Sequence, residues 1–119
     1  MMKAFLLAGL GGAIGSMLRF GANFIIRTGF LPYPTLMVNI LGSFLIGLFA
    51  AMGSQQPLGT HMNTFLITGI CGGFTTFSAF SLENLHYLND GKYLQAILYI
   101  TTSFLLSLVA TWLGYKCIA

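Results

Sequence analysis

Gly69-Ile70-Cys71-Gly72-Gly73-Phe74-Thr75-Thr76-Phe77-Ser78-Ala79-Phe80-Ser81 is the stretch on which the fold turns. It lies within a long apolar run, yet it carries paired glycines and the hydroxyl residues Thr75, Thr76, Ser78 and Ser81. Glycine pairs weaken a helix. Irregular backbone at membrane depth persists only where protein or a water-lined cavity satisfies the released polar groups. The stretch therefore predicts a membrane helix broken part-way, whose freed carbonyls are ligands of the kind a hard alkali cation takes. Phe74, Phe77 and Phe80 recur at every third position and fall near one face if the helix resumes. A phenyl edge is electropositive, so such edges can meet an anion without a full charge to trap it, and the neighbouring hydroxyls can donate hydrogens. Ordinary aromatic packing is the alternative account of the same rings.

Working outward, 56% of the 119 residues are hydrophobic and 6% are charged, against about 25% charged in a soluble domain. No water-soluble surface can be built from this composition. An apolar helix needs about 20 residues to cross the hydrocarbon core. The chain divides into four pieces of that length, at about 3–26, 33–52, 61–88 and 93–117. They are separated by a break near Thr28-Gly29-Phe30-Leu31-Pro32, a loop over Ser54-Gln55-Gln56-Pro57-Leu58-Gly59, and the turn Asn89-Asp90-Gly91. The expected fold is an all-α membrane protein, one four-helix transmembrane domain over residues 1–119, with the third helix broken mid-membrane. Lys3 and the apolar residues after it have the look of a signal peptide; three further spans favour a mature first helix. Trp112 and Tyr115 suit an interfacial belt.

Four crossings place Lys3 and Lys116 on one side, and Arg27 and Lys92 on the other. The excess of Lys and Arg normally decides which side stays cytoplasmic. A tie removes that decision and implies dual topology, hence an antiparallel homodimer, unless Arg19 or the insertion machinery breaks the tie. Five isolated basic residues form no stripe of the kind that tracks phosphates, so nucleic acid is not an expected partner. Cys71 and Cys117 lack zinc-like spacing and read as free thiols.

Polar residues inside the spans are the remaining candidates. Gly11-Gly12-Ala13-Ile14-Gly15-Ser16 gives the first helix a small-residue face for close approach. Arg19 is costly at depth: it either draws anions into a vestibule or pairs with helix-end carbonyls. Thr35, Asn39 and Ser43 share a face, and the Asn39 amide either bonds to another helix or faces a pore. Tyr99, Ser103, Ser107 and Thr111 recur at every fourth position and read as a hydrated anion track, although each hydroxyl has local acceptors as an alternative. Glu83 either caps or pairs at the interface, or serves gating or proton exchange with His86 nearby. No nucleophile with its base, no paired carboxylates in a span and no metal-ligand spacing is present, so an enzyme is not expected.

Three signatures together carry a resemblance over essentially the whole length. They are Gly11-Gly12-Ala13-Ile14-Gly15-Ser16-Met17-Leu18-Arg19-Phe20, Val38-Asn39-Ile40-Leu41-Gly42-Ser43-Phe44 and Gly72-Gly73-Phe74-Thr75-Thr76-Phe77-Ser78-Ala79-Phe80. The chain resembles the small bacterial Fluc fluoride channels. The resemblance implies a dual-topology homodimer in the bacterial inner membrane, with two antiparallel pores that passively export toxic fluoride from the cytoplasm. Its pore or anion-binding residues would be Phe77, Phe80, Asn39, Ser78, Thr76, Tyr99, Ser103 and Ser107, with Arg19 and Glu83 at the vestibule or gate. It also implies a structural sodium ion at the dimer interface, held by main-chain carbonyls of Gly72 and Thr75. Partners are then fluoride, sodium, membrane lipid and a second copy. Ala79 departs from the pattern, standing where a hydroxyl residue is frequent. The rival functions are a fluoride/proton antiporter, a small multidrug-type exporter and a non-transporting scaffold subunit. The exporter needs a membrane carboxylate, and the first two spans contain none.

Overall fold

The computed structural model describes residues 1–28, 34–55 and 59–118. All regular structure among the described residues is helical. Helix α1 runs Met2–Thr28 and α2 runs Pro34–Gln55, with proline at its first position where a missing N–H costs nothing. The third span comes in two parts. The first, α3 (60–74), comprises a turn Thr60–Asn63, a widened π-helical stretch Thr64–Cys71 and a last α turn Gly72–Phe74. The second, α4, is Phe77–Asn89, and α5 is Tyr93–Ile118. The expected break around residues 29–32 and most of the loop before Gly59 lie outside the described residues.

Among the described residues four helices are long and apolar enough to cross a bilayer: Met2–Ile25, Pro34–Gly53, His61–Asn89 with its interruption, and Tyr93–Ile118. At 1.5 Å per residue the 26 residues of α5 reach about 39 Å, ample for a core of about 30 Å. The long axis of the molecule is 47 Å. The Asn89-Asp90-Gly91 turn is chemically determined: Gly91 adopts φ +73°, Gly91 N–H donates to the Leu88 carbonyl at 3.2 Å, and Lys92 N–H donates to the Tyr87 carbonyl at 2.8 Å. This arrangement closes a helix on a left-handed glycine.

Two glycine seams hold the bundle. On the first, Gly11 and Gly15 of α1 lie against α3, where an added Cβ would meet backbone atoms of Phe65, Gly69, Ile70 and Phe74. On the second, Gly47 of α2 faces the Thr111 carbonyl of α5, and Gly114 of α5 faces the Phe44 carbonyl. Among like apolar solvents, helices associate through close packing rather than hydrophobic exclusion, so the absence of a side chain at these positions is what brings the backbones together. The outer faces are greasy: Phe5, Phe20, Phe24, Leu94, Leu105 and Leu108 are all exposed.

The interruption sits one turn later than the paired glycines suggest. Gly72 and Gly73 are still helical, and the extended residues are Thr75 (φ −85°, ψ 156°) and Thr76 (φ −150°, ψ 124°). The glycines serve packing instead, since a Cβ on Gly73 would strike the backbone of Gly12. The chain leaves the helix because Thr76 N–H is taken by the Asn39 side chain at 2.9 Å rather than by the carbonyl of Gly72. One consequence is that Phe74 falls before the break, buried, while Phe77 and Phe80 fall after it. The three rings therefore do not form a single helical row.

Candidate anion pathway

The interruption is built from four sets of contacts. Asn39 holds the Thr76 peptide at two points, accepting from its N–H at 2.9 Å and donating to its carbonyl at 3.1 Å. Thr75 Oγ1 donates to the Cys71 carbonyl at 2.9 Å, which also accepts Thr75 N–H at 3.0 Å. Arg19 Nε donates to the Gly73 carbonyl at 3.1 Å, so this cation pairs with a helix-end carbonyl across the α1 seam. Thr76 Oγ1 caps α4 by accepting from Ala79 N–H at 3.2 Å and lies 3.2 Å from Ser78 Oγ. The carbonyls of Gly72 and Thr75 accept no hydrogen bond among the described residues, and Gly72 is exposed on the protomer surface. Uncharged main-chain oxygens are ligands suited to sodium. These two carbonyls fit the ion that the resemblance implies.

A cavity of about 370 Å³ opens beside the interruption. Asn39, Gly72, Thr75, Thr76, Phe77, Phe80, Ser103 and Ser107 line it, together with Gly42, Ser43, Phe104 and Thr111. A second cavity of about 410 Å³ is lined by Ser81, Asn84, Leu85, Leu88 and Ile100. Phe77, Phe80 and Phe104 belong to both linings, so an aromatic trio forms a wall common to the two cavities. Phe80 is 8% exposed and Phe77 is 71% exposed. The Phe77 and Phe80 ring centroids are 5.6 Å apart, tilted at 45°. Phe104 meets Phe80 nearly edge to face at 6.4 Å and 85°.

The hydroxyl residues of α5 part company. Ser103 and Ser107 line the first cavity, and the buried Ser103 Oγ has no hydrogen-bond partner among the described residues. Thr111 also lines the cavity, but its hydroxyl donates back to the Ser107 carbonyl at 3.0 Å, the local alternative raised for any member of the row. Tyr99 lies outside both linings, its ring packed against Phe80 at 5.2 Å and tilted by 53°. Its hydroxyl donates to Glu83 Oε1 at 2.7 Å, while Thr35 Oγ1 donates to Glu83 Oε2 at 3.2 Å. Glu83 is thus gripped at both oxygens by helices α2 and α5, and that grip fixes the register of α4. Ser78 is exposed and borders neither cavity in the protomer. Arg19 likewise borders neither.

Sequence reasoning missed two residues here. Phe104 shares its helix face with Ser107 and Thr111, but its own side chain is apolar and carries no polar signal. Asn84 is buried, lines the second cavity and donates to the Phe80 carbonyl at 2.9 Å, while its Oδ1 has no partner among the described residues. Thr35, grouped with Asn39 by spacing, was not assigned to the carboxylate it serves. Tyr99→Phe keeps the ring and removes the shorter of the two donors to Glu83. A hydrogen bond to a charged group contributes about 1.5–3 kcal/mol. The variant is expected to lose about 2 kcal/mol in denaturant unfolding of the micelle-bound protein, and Thr35→Val less, since its bond is longer.

Residues 6–115 match the family described as CrcB-like protein, Camphor Resistance (CrcB). Proteins named fluoride-specific ion channel FluC are similar over nearly the full length. That of Flavobacterium psychrophilum is 46% identical over 118 residues, covering 95% of this chain and 94% of its own. That of Azobacteroides pseudotrichonymphae is 41% identical over 119 residues, 97% of this chain and 95% of its own. That of Thermus thermophilus is 44% identical over 119 residues, 97% of this chain and 94% of its own. With a match spanning all four membrane-crossing segments and the interruption between α3 and α4, the chain belongs to the CrcB-like family.

Proposed function

We propose that this protein is a fluoride-selective ion channel that lets fluoride leave the bacterial cytoplasm passively. It is a multi-pass bacterial membrane protein and not an enzyme. The observation that carries the reading is that Phe77, Phe80 and Phe104 wall both cavities, with the Ser103 hydroxyl, unpartnered among the described residues, lining the first of them. A bare halide enters hydrocarbon only if donors replace its water. Phenyl edges and hydroxyls supply weak, repeated donors, and conduction needs binding that is favourable enough to enter yet weak enough to leave. In this reading Ser103 and Ser107 carry the anion along α5, the rings of Phe77 and Phe80 pass it between the cavities, and Thr76 and the remaining Asn39 N–H hydrogen line the entrance. Ser78 joins the route only if a second copy closes over it. Arg19 acts on the anion through its field, and Glu83 acts by holding Tyr99 and Phe80 in place.

The functional unit in this reading is an antiparallel homodimer of dual topology in the inner membrane. Supporting it are the two-against-two balance of flanking Lys and Arg, and the position of the open groove. Gly72, Phe77 and Phe104 are all exposed on the single protomer. Released carbonyls facing lipid are untenable, whereas protein cover from a second copy satisfies them. A sodium ion held by the Gly72 and Thr75 carbonyls of both copies supplies the positive charge that lets these dipoles face one another.

Liposomes loaded with fluoride and chloride, carrying the purified protein and a potassium ionophore, test the function. Fluoride is expected to leave rapidly and chloride barely at all, both read by ion-selective electrodes. Equal chloride release would overturn the selectivity, stoichiometric proton movement would favour the antiporter, and no flux would favour the scaffold.

A further inference from the structure

Of the residues around the interruption, Gly42 is the one with no chemistry of its own. It is buried in α2 one turn beyond Asn39. A Cβ built on it would run into the Thr75 Cγ2 methyl and lie 3.3 Å from Phe74 Cδ2. The end of a flexible side chain would turn aside from such a contact. Thr75 cannot, because it has a single side-chain torsion, and the Oγ1 on the same Cβ is committed to the Cys71 carbonyl at 2.9 Å. Rotating the methyl away swings the hydroxyl off its acceptor. The next residue does not yield either, since Asn39 clasps both the N–H and the carbonyl of Thr76. A clash at position 42 is therefore passed to the backbone of Thr75, and first to its carbonyl, which accepts no hydrogen bond among the described residues.

We infer that Gly42 is a positioning residue: the missing side chain on α2 sets where the Thr75 carbonyl points and thereby tunes the cation affinity of the interruption, without touching any ion. Asn39 secures one side of the extended pair and Gly42 admits the other. Helix α2 is thus the template on which the break is formed, and the role extends to Asn39, whose amide is mostly spent on the Thr76 peptide. The affinity of a carbonyl site depends on the number and placement of its dipoles. A shift of one oxygen is repeated in each copy of a symmetric dimer. The inference rests on the sodium reading above.

The test is thermal unfolding of the purified full-length protein in detergent, with NaCl replaced stepwise by N-methylglucamine chloride at constant ionic strength. An ion that binds only the folded protein raises the midpoint in proportion to its occupancy. A wild-type midpoint that rises with sodium supports the sodium reading, and a flat one overturns that reading along with the inference built on it. Given a wild-type response, Gly42→Ala is expected to need about tenfold more sodium for the same rise. In a Thr75→Ser background, which keeps the hydroxyl and removes the obstructing methyl, the same Gly42→Ala change is expected to shift the requirement by less than about twofold. A wild-type sodium response with an unshifted Gly42→Ala overturns the inference alone. If Gly42→Ala does not fold, recovery of a folded, sodium-responsive protein in Gly42→Ala/Thr75→Ser supports the inference. Failure of the double variant to recover overturns it, because the obstruction then lies elsewhere.

Discussion

Phe80→Ile is expected to reduce fluoride release from liposomes by about tenfold or more, while the purified protein still elutes as the wild type does. The ring packs against Phe77, Phe104 and Tyr99 and belongs to the walls of both cavities. A single donor contact contributes about 0.5–1.5 kcal/mol net, and about 1.4 kcal/mol of barrier is one decade in rate. Losing the edge that faces a passing anion therefore costs about a decade. Isoleucine keeps the site apolar but forfeits the ring contacts to Phe77, Tyr99 and Phe104, so the unfolding midpoint is compared alongside the flux to separate a lost donor from a loosened core. Phe77→Ile should depress flux similarly with less effect on protomer stability, because most of that ring is exposed. Electrodes give the flux and size-exclusion chromatography the assembly. Wild-type flux in both variants would remove the ring edges from the mechanism.

The second large effect is expected on stability. Gly15→Ala would set a methyl against the Ile70 carbonyl and the Phe74 amide, and Gly47→Ala would set one against the Thr111 carbonyl. These are backbone atoms that no rotamer change can move aside. Overpacking a close interface costs about 1–3 kcal/mol and occasionally more, and the seams are where helix association in lipid is won. Each variant is expected to lose about 3 kcal/mol, read as a lowered midpoint in denaturant titration of the micelle-bound protein. Gly9→Ala is the control: nothing lies near its added Cβ, and alanine favours helix over glycine by about 1 kcal/mol. If Gly9→Ala and Gly15→Ala behaved alike, the seam would not be the source of the effect.

Much of this was legible in the residues. Spans of apolar length separated by short polar gaps, with so few charges, admit only a membrane bundle, because unpaired backbone groups in hydrocarbon exclude other architectures. Hydroxyls and glycines in the third span announced an interruption. Its place was not legible, since Gly72-Gly73 and Thr75-Thr76 are adjacent in sequence and both disfavour a regular helix. Which pair yields depends on an α2 side chain dozens of residues earlier. The hydroxyl row of α5 was legible as a period of four, but not the fate of each member: Tyr99 turns to a carboxylate, Thr111 to its own backbone, and Ser103 to the cavity.

Local composition by itself determined that the chain crosses a membrane four times and that its third crossing departs from a regular helix, because both follow from the transfer cost of groups along a single segment. The tertiary structure alone decided that Asn39 takes the N–H of Thr76, that Arg19 takes the carbonyl of Gly73, and that Gly42 leaves room for the methyl of Thr75. Each of these is a competition between a helix's own hydrogen bond or volume and a neighbour from another helix. Competitions of that kind are settled by distance in space, which spacing along the chain does not encode.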